Sequence, residues 1–157
     1  MEQQRKVVET GLLLEQYREL LQTADCLPLQ VTGSSMTPFL IPKRDSVMLS
    51  ALRTVPKKGD IILYRRKSGG YVLHRVYARQ RDGRYSMVGD GQQQIERDIS
   101  REQMFAMVTQ ARRKGRVQQP GCFWWEFFAR IWIRILPLRP AIRRLYGAVY
   151  HFGRKRA

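Results

Sequence analysis

The segment Asp60-Ile61-Ile62-Leu63-Tyr64-Arg65-Arg66-Lys67-Ser68-Gly69-Gly70-Tyr71-Val72-Leu73-His74-Arg75-Val76-Tyr77 sets two short apolar runs on either side of a glycine pair. Glycine reaches the positive-φ backbone that tight turns need, so Ser68-Gly69-Gly70 reads as a hairpin turn. Period-2 alternation in the second run puts Val72, His74 and Val76 on one face and Leu73, Arg75 and Tyr77 on the other. Similar runs lie further out, at Leu27 to Val31, Ser46 to Leu49, Tyr85 to Val88 and Met104 to Thr109. Between them stand the turn signals Gly33-Ser34, Lys58-Gly59-Asp60, Asp82-Gly83 and Gly89-Asp90-Gly91. Many short strands joined by hairpins predict a mainly β fold, a coiled sheet or barrel, over a parallel α/β architecture.

The flanks differ in character. Residues 1–24 read as an amphipathic helix, with Leu13, Leu14, Tyr17, Leu20 and Leu21 near helical spacing. It should stop before Pro28. Residues 25–118 form the β domain, the last of them inside a basic, turn-prone stretch, Ala111 to Pro120, read as a linker. Residues 119–157 change composition sharply. Glu126, Arg130 and Arg134 make one polar stripe on an otherwise aromatic and aliphatic helical segment, which Pro137 and Pro140 interrupt. Arg139, Arg143 and His151 continue the stripe. The chain has no internal repeat and no low-complexity tract.

At 157 residues, with 43% hydrophobic and 27% charged residues, the chain suits a folded domain and not a disordered one. Its 29 Lys+Arg against 13 Asp+Glu give a net charge of +16. Such a chain is drawn to polyanions, nucleic acid or an anionic membrane surface. Nucleic acid is disfavoured, because the aromatics gather in the C-terminal segment and not on a basic β-face. No run reaches the roughly 18 apolar residues of a membrane span, so a cytoplasmic or peripherally membrane-associated protein is expected. Cys26 and Cys122 lack any metal-ligand spacing and read as two isolated thiols; no metal and no cofactor is expected.

Three local signals carry chemistry. Gly33-Ser34-Ser35-Met36-Thr37-Pro38 places a serine on a tight bend, where its hydroxyl and neighbouring backbone N–H groups are presented together. His74, between two valines on a strand, is a candidate buried base, since imidazole with a pKa of about 6.5 accepts a proton near neutrality. Gly89-Asp90-Gly91, followed by Glu96-Arg97-Asp98, supplies carboxylates, which a Ser–His pair needs to orient the imidazole. Taken singly, the serine bend is an ordinary turn about as often as a site, a strand histidine is usually a core residue, and Gly-Asp-Gly is usually a β-turn.

The order GSSMTP, GDIILY, YVLHRV, MVGDG resembles the S24/S26 serine peptidase clan. Within it the chain is most similar to type I signal peptidases of the endoplasmic-reticulum and archaeal, Ser–His, kind. The resemblance covers roughly residues 30–110. It implies a serine endopeptidase with a signal-peptidase-like β domain, acting on a leader-like peptide or preprotein at or near a membrane. Ser35 would be the nucleophile and His74 the base, where other branches use lysine. Asp90 and Asp98 would complete the catalytic set, with Glu96 the third possibility for the orienting carboxylate. Ser34, Met36 and Pro38 would shape the oxyanion hole and substrate site. The chain departs from the pattern at Gly33, where signal peptidases usually carry a serine, and no counterpart of their N-terminal anchor is expected from residues 1–24. Alternative readings are an inactive homologue that binds leader peptides, a self-cleaving regulator and a nucleic-acid-binding β-barrel. The C-terminal segment is expected either to lie on an anionic membrane or to pack on the β domain.

Overall fold

The computed structural model describes residues 14–142, 144 and 145. Residues 14–20 are helical (α1). Leu14 and Leu21 are buried, and the helix ends well before Pro28. The expected helical residues 1–13, and Arg143 and His151 of the C-terminal stripe, lie outside the described residues.

Eight strands follow: β1 (Leu27–Gln30), β2 (Ser46–Ala51), β3 (Ile61–Arg65), β4 (Tyr71–Arg79), β5 (Tyr85–Val88), β6 (Glu96–Ile99), β7 (Met104–Arg113) and β8 (Arg116–Gln118). All pairings are antiparallel, in the order β1-β2-β7-β3-β4-β5-β6, with β8 folding back on β7. The path ends at β1 on one side and β6 on the other, so the sheet is open and the barrel alternative is corrected. Register shifts at Met48/Leu49, Leu63/Tyr64, Val76/Ala78 and Tyr85/Met87 interrupt the ladders. Bulges of this kind bend and twist a sheet without closing it.

Both expected hairpin turns form. Gly69 and Gly70 sit at φ 86° and 77° between β3 and β4, and Gly83 at φ 87° between β4 and β5. Two strands, β6 and β8, were not read from the sequence. The stretch 111–120 is not a linker: it completes β7, turns at Lys114-Gly115 and returns as β8. Both turn residues have positive φ, as a two-residue hairpin loop requires.

Ile61, Ile62, Leu63 and Tyr64 are all buried, because the sheet is covered on both faces. On one face Ile61 and Leu63 join Met36, Phe39, Leu40, Trp125, Phe128 and Trp132. On the other, Ile62 and Tyr64 join Val76, Tyr85, Met87 and Met104. The C-terminal segment is a broken helical run: α2 (Phe123–Glu126), a π-helical stretch (Phe127–Trp132) and a 3₁₀ turn (Leu136–Leu138) that begins at Pro137's neighbour. Among the described residues no helix is long and apolar enough to cross a membrane. Cys26 and Cys122 are free thiols.

The run crosses the β2–β3 turn closely. A Cβ on Gly59, which sits at φ 97°, would stand 2.8 Å from the Ala129 carbonyl oxygen. Gly59→Ala should therefore destabilise the fold by more than about 1 kcal/mol, read as a lowered thermal midpoint. Gly33→Ala, whose methyl would meet nothing within 4 Å, should leave the midpoint unchanged.

Candidate active site

β1 runs into a bend that carries the serines. Thr37 N–H donates to the Ser34 carbonyl at 3.0 Å and Leu40 N–H to the Met36 carbonyl at 2.9 Å. Met36, Phe39 and Leu40 are buried and anchor the bend, which leaves Ser34 and Pro38 exposed and Ser35 half-buried. The Met36 side chain is therefore a core residue and offers a substrate only its backbone. Arg75 and Arg113 both stack on the Phe39 ring, at 4.6 and 4.8 Å from its centroid.

The bend is held against Gly89-Asp90-Gly91. Gly91 N–H donates to the Ser35 carbonyl at 2.8 Å. A Cβ on Gly89 would lie 2.5 Å from the Ser35 carbonyl oxygen and 3.1 Å from His74 Nε2, so serine backbone and imidazole converge on one small gap. Only glycine fits there. His74 comes from β4, opposite Ile62 of β3. Its side chain is fully buried, and among the described residues Nε2 has no hydrogen-bond partner. A buried, unpaired ring nitrogen is costly unless a function uses it.

The other ring nitrogen is well supplied. Tyr64 Oη lies 3.1 Å from His74 Nδ1 and donates to Glu96 Oε2 at 2.8 Å. Glu96 Oε1 lies 3.6 Å from Nδ1, and Arg66 grips both Glu96 oxygens. Burial pushes the Glu96 carboxyl up, but its bonds from Arg66 and Tyr64 and the nearby His74 and Arg66 charges outweigh that, and its pKa ends low. The carboxylate is thus ionised and can only accept. Tyr64 must give its single proton to it, and the phenol oxygen then accepts from Nδ1–H. Burial and Glu96 push the Tyr64 pKa up, which keeps that proton in place. The network therefore assigns the proton to Nδ1 and a free lone pair to Nε2, on the Ser35 side.

Of the three carboxylates expected as candidates to orient the histidine, Glu96 stands beside it, while Asp90 and Asp98 pair with arginines instead. Asp98 is largely exposed at positive φ and stands 4.0 Å from Arg84. Asp90 is fully buried, with Arg75 Nε at 2.9 and 3.0 Å from its two oxygens. Burial pushes its pKa up although Arg75 opposes the shift. Arg75 also donates to the Gly59 carbonyl at 2.9 Å. Asp90 is thus a clamp for its own turn. That turn is gripped again from the C-terminal run: Trp132 Nε1 donates to the Asp90 carbonyl at 2.8 Å, and Arg139 to the Gly89 and Gln92 carbonyls, both at 2.9 Å. The run therefore packs on the β domain along this face.

Sequence reading missed Tyr64, Arg66, Trp132 and Arg139. Tyr64 was reachable, because the Ser68-Gly69-Gly70 hairpin fixes a register that sets it one same-face step from the partner of His74. Among the described residues no cluster of side chains could hold a metal ion. No family model, no curated protein and no solved structure matches the chain.

Burial lowers the His74 pKa to about 4, with Glu96 raising it and Arg66 lowering it more weakly. In the unfolded chain the imidazole titrates at about 6.5. Between those values the unfolded state binds the extra proton, so stability is complete above pH 6.5 and falls as pH drops toward 4. The loss from pH 6.5 to 5 should be about 2 kcal/mol at about 1.4 kcal/mol per pH unit. Urea unfolding at several pH values should show this slope in the native chain and a shallower one in His74→Gln.

Proposed function

We propose that the chain is a serine endopeptidase of signal-peptidase-like type, with Ser35 as nucleophile and His74 as general base. The observation that carries this reading is the buried, unpartnered Nε2 of His74, facing the Ser35 bend across Gly89. Most buried side-chain nitrogens are hydrogen-bonded; His74 has its support at Nδ1 and, among the described residues, no partner at Nε2.

In this reaction Nε2 takes the proton from the Ser35 hydroxyl as the oxygen attacks a peptide carbonyl. Backbone N–H groups of the bend, with Ser34 Oγ beside them, receive the oxyanion. The charge on the imidazolium is balanced by Glu96, with Tyr64 interposed. His74 then protonates the leaving amine, and water resolves the acyl-enzyme. By the resemblance stated above, the substrate is a leader-like peptide with small residues before the cleaved bond. Such a peptide binds as an added strand, and β1 lies at the sheet edge that leads into Ser35. Pro28 offers that edge no N–H, and its carbonyl accepts from Tyr17 Oη at 2.7 Å, so pairing is confined to the stretch nearer Ser35.

Ser35→Ala and His74→Ala should each reduce cleavage of a leader-like peptide by about a thousandfold or more with the fold intact. An acylating active-site probe should label Ser35 in the native chain. Full activity in either variant, or a native chain that neither cleaves nor labels, refutes the reading. The role of Glu96 has its own signature. Activity should hold down to about pH 5 and fall near pH 4, following His74. Glu96→Gln removes the charge that raises the imidazole pKa, so it should lower kcat about tenfold and move the acid limb to lower pH. A purely structural role for Glu96 would leave the limb where it is.

A further inference from the structure

The helical run after Gly121 is apolar on two sides, and only one is in the core. Trp125, Phe128, Trp132, Ile133 and Leu136 are buried. Phe123, Trp124, Ile131, Leu138 and Leu145 are 72%, 49%, 51%, 56% and 68% exposed. Trp124, Ile131, Leu138 and Leu145 are spaced along the whole run at seven-residue intervals, so the exposed apolar side chains extend over its length. Large side chains left in water over such a length mark an interaction surface.

Charge says what that surface meets. From residue 103 to the C-terminus Glu126 is the only acidic side chain, and it is paired with Arg130 at 2.6 Å. Arg134 and Arg144 are exposed along the run. At its start stands the β7–β8 hairpin, with Arg112, Lys114 and Arg116 exposed. The hairpin abuts the aromatic end directly, for Arg113 lies 6.0 Å from the Trp124 ring centre. A second copy of this chain would bring a further +16 to the contact. Nucleic acid would satisfy the arginines but not Ile131, Leu138 and Leu145, which cannot stack on bases.

We propose that this face docks on an anionic lipid surface, with Phe123, Trp124, Ile131, Leu138 and Leu145 entering the headgroup–acyl boundary and the arginines meeting lipid phosphates. Indole rings favour that boundary, and each basic residue near it adds about 1 kcal/mol of attraction. The docking stands whether or not Ser35 is a nucleophile. The opposite side of the same run holds the Gly89 and Asp90 carbonyls, so in a docked molecule the turn that contacts the Ser35 bend lies across the run from the lipid.

The test uses the full chain carrying Ser35→Ala, so that its result is independent of peptidase activity. Vesicles of phosphatidylcholine alone are compared with vesicles in which about one-third is phosphatidylglycerol. The chain should sediment with the anionic vesicles only, less so at high salt, with a blue shift in tryptophan emission that Trp124→Phe reduces. The triple variant Trp124→Ser, Ile131→Ser, Leu138→Ser should bind at least about tenfold more weakly while still unfolding cooperatively from a native far-ultraviolet spectrum, since about half of each side chain is exposed. Absence of binding to anionic vesicles overturns the proposal, as does equal binding by the triple variant. So does self-association that the triple variant loses while neither protein binds vesicles, or a preference for a DNA duplex over the vesicles in direct competition.

Discussion

A fully buried ion pair, Arg75 with Asp90, governs the geometry of everything around Ser35. Desolvating two charges is expensive, and such a pair persists only where extra hydrogen bonds and good geometry offset the cost. Here the support is spread over three separate loops. Arg75 bonds the Gly59 carbonyl of the β2–β3 turn, lies on the Phe39 ring of the serine bend, and spans both oxygens of Asp90. Asp90 is flanked by the two glycines that touch the serine bend and the imidazole. Moving either charge would thus move the gap between Ser35 and His74.

Neighbouring residues on β4 take opposite tasks because a strand alternates its faces. Arg75 faces the core of the serine bend, while His74 faces Tyr64 and Glu96. The two faces have different electrostatics. Asp90 meets a guanidinium in a sealed interior. Glu96 is partly open to solvent, keeps its charge through Arg66, and reaches the imidazole through a phenol. A carboxylate one hydroxyl removed from the ring orients it without holding it charged, which fits an imidazole that is neutral near pH 7.

How much was legible in the sequence depended on how local the signal was. The hairpins at Gly69-Gly70 and Gly83, and the strands around them, were readable because turn chemistry and period-2 patterns act over a few residues. β8 and the end of β7 were hidden by Arg112, Arg113, Lys114 and Arg116, since an exposed edge hairpin carries no apolar pattern. The serine bend, His74 and the Gly-Asp-Gly turn could be named because each sits in a short motif, and the structure brings the three together. The choice of carboxylate could not be made from spacing. Asp90, Glu96 and Asp98 are all near in sequence, and only the bulged pairing of β5 with β6 sends Glu96 toward the histidine and Asp98 toward water. The two-sided character of the C-terminal run was half legible: its aromatics announced burial, but which of them would be covered depends on the distant surface they meet.

That run also gives the molecule an order of assembly. Arg139 holds a carbonyl 50 residues upstream, and Trp132 one 42 residues upstream. A chain emerging from the ribosome carries the serine bend, the imidazole and the Gly-Asp-Gly turn long before it carries the side chains that secure them. The parts of the site are made early and the brace is made late. Until residues 132–139 fold back, the Gly89 and Asp90 carbonyls lack these two donors.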